Sequence, residues 1–239
     1  MKNKDLIFQL STIQGLAAGD CAGTMTVSEL MTHGDTGLGT FNDANGEMTV
    51  LDGVCFQALG DGRNVIADAD ETVPFASVMF FDCDKKESYS GKSFDEFKAS
   101  TMELINEMGC NSFYVGRLEG SFTWMKVRSE IKQNKPYKRL DKFLSESQRV
   151  FEYSDVNGWL VCMYVPEYAS GINVTGWHCH FISQDKTLGG HVLDFHMTEG
   201  NLELDKKDSI MMKLPDTEVF NKMKLGIQND VVDFVEKGK

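Results

Sequence analysis

Four of the chain's five histidines, His178, His180, His191 and His196, lie between positions 178 and 196. His178 and His180 sit in Gly176-Trp177-His178-Cys179-His180-Phe181-Ile182, a segment of strand composition. Alternate side chains of a strand share a face. The two imidazoles therefore point one way, while Trp177, Cys179 and Phe181 point the other way into apolar packing. Two rings so placed can both reach one cation at ~2.0–2.1 Å. Gln184-Asp185-Lys186-Thr187 reads as a turn, and Gly189-Gly190-His191 follows it. A hairpin there returns His191 beside the first pair. Three neutral imidazoles leave one position of a tetrahedral Zn²⁺ open, the pattern of catalytic rather than structural zinc. A spacing of two alone is a weak signal, because a strand histidine is commonly just a hydrogen-bonded polar residue. The third histidine after a tight turn strengthens the metal reading. By alternation His196 faces opposite to His191 and falls outside the site, as does His33.

A sheet-dominated mixed α/β chain is expected to position these groups, as two mixed or antiparallel β-sheet halves with flanking helices around the metal site. Residues 26–32 suit a short helix. Glu47 to Gln57 is strand-like after an Asp43-Ala44-Asn45-Gly46 turn, and Pro74 to Phe81 is a dense apolar run suited to a buried strand. Residues 93–108 form the clearest helix. Ser93 and Glu96 make a capping box, Gly109 supplies the stop, and Phe94, Phe97, Thr101, Leu104, Ile105 and Met108 fall on one stripe. Strand candidates follow at Ser112–Phe122, Val150–Tyr153, Trp159–Val165, Val174–Ile182 and His191–His196, with one more within Asn201–Leu214. Asp216 to Gln228 has helical spacing. Segment 126–149 is rich in basic residues and reads mostly as a solvated face. A seam near 109–112 divides the chain into an N-terminal α/β half, 1–110, and a β-rich half, 111–239, that carries the histidines.

The chain has 239 residues and a net charge of -12. That excess of acid argues against a nucleic-acid partner and against docking on anionic lipid. No apolar run approaches the ~20 residues of a membrane span. The six cysteines are widely spaced with no CxxC, which suits reduced thiols in a cytoplasmic protein. No GxGxxG or P-loop pattern calls for an organic cofactor.

Several blocks together resemble the α-acetolactate decarboxylase family. They begin with Gly34-Asp35-Thr36-Gly37-Leu38-Gly39-Thr40-Phe41-Asn42, Gly46-Glu47-Met48 and Leu51-Asp52-Gly53. Glu71 to Ala76, Gly120-Ser121-Phe122 through Arg128, and Pro136-Tyr137 continue the series. Gly176 to Ser183 and Thr187 to Phe195 complete it. The resemblance runs in order over roughly residues 10–236. It implies that His178, His180 and His191 hold zinc, and that Thr40, Glu47 and Arg128 belong to the site. It also implies a glutamate from the C-terminal tail, best matched by Glu236, and a homodimer. Cys179 between the histidines and Asn42 after the Gly-Thr-Phe block depart from the family pattern.

The implied reaction converts 2-acetolactate, a small anionic 2-hydroxy-3-keto acid, into acetoin and CO₂ through a metal-stabilised enediolate. Loss of CO₂ leaves an electron pair on carbon, and the neighbouring ketone delocalises it as the enediolate. A Lewis-acidic ion would stabilise that charge. Arg128 could hold the carboxylate bidentately. Glu47 or Glu236 would return a proton, since a buried carboxyl keeps its proton more readily. Two other readings compete. A cupin-type metal dioxygenase also carries HxH on a strand, but it expects a glutamate three or four residues later, where Ser183 and Gln184 stand. A binding module stapled by structural zinc would need a fourth protein ligand.

Overall fold

A computed structural model describes residues 3–226. The first half runs β1 (Leu6–Leu10), α1 (Ile13–Ala18), β2 (Met25–Thr26), α2 (Val27–Leu30), β3 (Thr36–Thr40), β4 (Glu47–Leu51), β5 (Val54–Ala58), β6 (Asn64–Ile66), β7 (Thr72–Val73), β8 (Phe75–Met79), β9 (Lys85–Ser93) and α3 (Phe94–Met108). The second half runs β10 (Phe113–Glu130), α4 (Leu140–Ser147), β11 (Gln148–Val165), β12 (Gly176–Ser183), β13 (Gly189–Lys207), β14 (Ser209–Lys213) and α5 (Glu218–Lys222). The chain is thus the sheet-dominated α/β type its composition suggests.

Two sheets carry the architecture. A seven-stranded sheet has the order β14-β1-β8-β3-β4-β5-β6, and a five-stranded sheet has the order β10-β11-β12-β13-β9, with β10 also paired to β13. The sheets exchange chain across the 109–112 seam. β9 pairs with β13, and β14 pairs in parallel with β1.

Alternation along the strands builds three apolar layers. Phe8, Met48, Val50 and Val78 lie on the outer face of the larger sheet, under α2. Leu38 and Met79 face Val115, Met163 and Val165 between the sheets. Leu118, Val127, Leu160, Cys179 and Phe181 pack under Phe94 and Phe97 of α3. Complete burial of a ring such as Phe181 contributes about 2–3 kcal/mol.

Two segments differ from the pattern reading. Glu47 to Gln57 is not one strand but the β4–β5 hairpin. Asp52 and Gly53 take φ values of 52° and 78°, the left-handed pair that a two-residue Asp-Gly hairpin turn requires. The helix expected over 216–228 is only α5, capped by the Thr217 side chain and ended by extended Met223. Residues 227 and 228 lie outside the described residues. The 93–108 helix appears as α3, with both capping-box hydrogen bonds present.

Candidate metal centre and its cavity

β12 places His178 and His180 on one face and Cys179 on the other, where it packs opposite Cys162 in the core. The turn after Ser183 then sets His191 directly beside His180 across the β12–β13 ladder. Gly190 allows this approach. Its φ is +142°, and a Cβ there would meet the Arg128 carbonyl at 2.6 Å. All three rings are buried. His178 Nε2 lies 3.1 Å from His180 Nε2 and 3.0 Å from His191 Nδ1. Two imidazole ligands of one tetrahedral ion would sit about 3.3 Å apart, so His178 stands near that separation from each of the other two, and the three ligand atoms all lie within 4.8 Å of one another.

The second hydrogen bond of His180 fixes its tautomer. Its Nδ1 lies 2.7 Å from the Met48 carbonyl, which can only accept. Nδ1 therefore carries the proton and Nε2 offers a lone pair to the centre, the usual support for a metal-binding histidine. Burial, and then the nearby Arg128 charge, push His178 down to about 3. Burial pushes His180 well below its usual range, with His178 and Arg128 adding to it and the Met48 carbonyl opposing. His178 and His180 are therefore neutral at pH 7, the ligating form.

That depression has a sign in stability. An unfolded histidine takes up its proton near 6.5, whereas folded His178 resists until about 3. The unfolded state binds more protons in between, so the contribution of these two histidines is fully present above pH 6.5 and is lost as pH falls. The slope is about 1.4 kcal/mol per pH unit for each such histidine. Melting of metal-stripped protein between pH 7.5 and 5 is expected to show a falling midpoint. A flat profile would mean that the rings are not held neutral by the fold.

The anionic and cationic side chains come from both sheets. Thr40 and Glu47 face each other on β3 and β4, and Arg128 lies beside His191 on β10 and β13. Gly46 makes the turn into β4 with φ +85°, where a Cβ would strike the Ala58 carbonyl at 2.2 Å. The Thr40 hydroxyl donates to the Gly46 carbonyl at 2.8 Å. Arg128 is 4% exposed. Its Nη1 lies 3.2 Å from Glu47 Oε1 and 3.6 Å from Glu130 Oε2. Glu47 Oε2 is 3.5 Å from His180 Nε2. Glu47 thus stands between the histidines and the guanidinium.

These groups line one cavity of about 390 Å³, its solvent-open mouth included. His178, Thr40, Glu47, Arg128 and Glu130 make its polar side, and Ile13, Leu16, Phe75, Leu140 and Leu144 its apolar side. Arg128, within the 126–149 segment expected to be mostly a solvated face, is thus a buried wall of this cavity. So is Glu130, which pattern reading did not single out. It sits two residues from Arg128 on one strand, so alternation alone puts both on the same face. The apolar wall from α1 and α4 was also missed, although Leu140 and Leu144 are one helical turn apart.

His196 lies outside the trio for a different reason from the one its spacing gave. An irregularity in the ladder gives β13 one extra residue, Leu193, opposite the step from Lys126 to Val127. That restores His196 to the same face as His191. It is excluded because it lies farther along the strand, exposed and tilted against Trp124 at 5.6 Å. His33 stacks on Phe8 with 3.8 Å between ring centroids. Glu236, expected in the site, lies outside the described residues.

Comparison with known proteins bears on this arrangement. The family model for alpha-acetolactate decarboxylase matches residues 7–227. The alpha-acetolactate decarboxylase of Methanosarcina mazei is 40% identical over 98% of this chain and 81% of its own length. That of Bacillus licheniformis is 34% identical over 92% of this chain and 86% of its own. The crystal structure of the Bacillus subtilis strain 168 enzyme superposes with a TM-score of 0.90 at 30% identity, covering 97% of this chain and 98% of that one. The sequence blocks, the two-sheet fold and these matches agree: the chain belongs to the alpha-acetolactate decarboxylase family.

Proposed function

We propose that the chain decarboxylates 2-acetolactate to acetoin and CO₂ in the cavity between the two sheets, with Zn²⁺ held by His178, His180 and His191. One observation carries this reading. A buried three-histidine set reaches, through His178, a cavity whose wall also holds a buried guanidinium, a buried carboxylate and an apolar side. A divalent ion bound by the three rings would supply Lewis-acid stabilisation of the charge left when CO₂ departs.

The chain's own groups do the rest. Arg128 receives the substrate carboxylate and fixes which bond faces the reactive centre. Thr40, held against the Gly46 carbonyl, offers its oxygen to the substrate hydroxyl. The C–C bond to the carboxyl carbon breaks, its electron pair moves onto the ketone to give an enediolate, and CO₂ leaves neutral. Glu47, between the histidines and Arg128, delivers a proton to the carbon that lost CO₂. Glu236 is a second acid on the resemblance alone. The apolar wall of Ile13, Leu16, Leu140 and Leu144 accepts the substrate's methyl groups and excludes water. Among the described residues no helix is long and apolar enough to cross a membrane. Together with six free thiols, this supports a cytoplasmic enzyme, and the family resemblance supports a homodimer.

Purified protein is expected to carry one zinc per chain, to make acetoin from acetolactate, and to lose that activity on chelation. Stoichiometric zinc without acetoin would overturn the proposal. Glu47→Gln keeps the shape of the side chain and removes the proton donor. It is expected to lower kcat ~10²- to 10⁴-fold, the usual range for a lost general acid, with zinc content unchanged. A variant that instead loses its zinc would place Glu47 among the ligands.

A further inference from the structure

Glu130 is a buried acid, 3% exposed, on the wall of the same cavity. Its carboxylate faces the same guanidinium nitrogen that Glu47 faces, at 3.6 Å against 3.2 Å. Its place two residues from Arg128 on β10 keeps both side chains on the cavity face, whatever occupies the cavity. An arginine meant only to capture an anion gains nothing from a second buried carboxylate, which competes with the incoming one.

The chemistry of decarboxylation gives the competition a purpose. The substrate's negative charge starts on the carboxylate and ends on the former ketone, while the carboxyl carbon departs as neutral CO₂. A guanidinium that grips the carboxylate tightly stabilises the reactant more than the transition state, and so slows the chemical step. We propose, building on the decarboxylase reading above, that Glu130 is a positioning residue that draws Arg128 partly away from the substrate carboxylate, so that the carboxylate is oriented without being held too strongly to leave as CO₂.

The test is Glu130→Gln, which keeps size and hydrogen-bonding capacity and removes the charge. Two readouts are taken, steady-state kinetics with acetolactate and calorimetric binding of lactate, a 2-hydroxy carboxylate that cannot decarboxylate by this route. The expected result is lactate binding ~10-fold tighter, with KM and kcat both lower by ~10-fold and kcat/KM within about 3-fold of wild type. Such a paired fall is the mark of relieved ground-state destabilisation. If kcat falls while KM and lactate affinity stay level or worsen, Glu130 only supports the fold and the proposal is overturned. Unchanged kinetics and binding overturn it as well. Should the glutamine variant fail to fold, Glu130→Asp withdraws the charge by one methylene and is expected to move both constants the same way, by ~3-fold. Movement in the opposite direction, or none, would be decisive against it. If the wild-type protein makes no acetoin, the decarboxylase reading fails by itself. The lactate measurement then still reports whether Glu130 weakens the hold on a carboxylate.

Discussion

Replacing His191 with alanine is expected to strip the metal from the purified protein and to lower acetoin formation by ~10³-fold or more. In the proposed site His191 is the vertex supplied by β13, and without it two nitrogens remain on β12. Lewis-acid stabilisation of developing charge is worth several kcal/mol, and each 1.36 kcal/mol is tenfold in rate. The fold should survive, because His191 is one buried ring in a ladder whose backbone pairing does not depend on it. The control is Cys179→Ala. Cys179 lies between two of the histidines in sequence, yet its side chain is 1% exposed in the core opposite Cys162. This variant is expected to keep both metal and activity, at a cost of about 1 kcal/mol in stability. Zinc content by emission spectroscopy and acetoin yield decide the matter together. Metal lost from Cys179→Ala would mean that strand alternation does not set the ligand face.

The histidine trio was legible because every relation within it is local. His178 and His180 share a face through strand pleating, and a tight turn fixes their distance to His191. The capping box of α3 was legible for the same reason. Long-range facts were harder to read. Nothing near Lys85 or Ser209 says that β9 joins the second sheet and β14 the first, because that choice depends on strands far away in sequence. The irregularity opposite Lys126 and Val127 changed the phase of His196 with no Gly or Pro to mark it. Arg128 and Glu130 were obscured by composition. Around them Met125, Val127 and Ser129 alternate with Lys126, Arg128 and Glu130, which is strand periodicity. The surplus of lysine beyond it gave the whole segment the look of a solvated face. What buries these two charges is a second sheet and two short helices, α1 and α4, brought over them by the fold.

Arg128→Ala should damage stability and substrate binding at once, and the two losses can be separated. The side chain is the cation that both Glu47 and Glu130 face inside the cavity. Removing one member of a buried charge cluster typically costs about 3–5 kcal/mol, so a large drop in melting temperature is expected. A hydrogen bond to a charged group is worth about 1.5–3 kcal/mol, so loss of the carboxylate anchor should raise KM by ~10- to 100-fold. Arg128→Lys separates the effects. It returns the positive charge, and with it most of the lost stability, but not the planar two-pronged donor that matches a carboxylate. Its KM is expected to stay ~10-fold above wild type although it melts nearly normally. A lysine variant with wild-type KM would show that a point charge suffices and that the fork does not orient the substrate. In both variants kcat should fall by less than KM rises. On the proposed reading the group that Arg128 holds leaves as neutral CO₂, so most of the binding lost with the arginine would be binding that the transition state has already begun to give up.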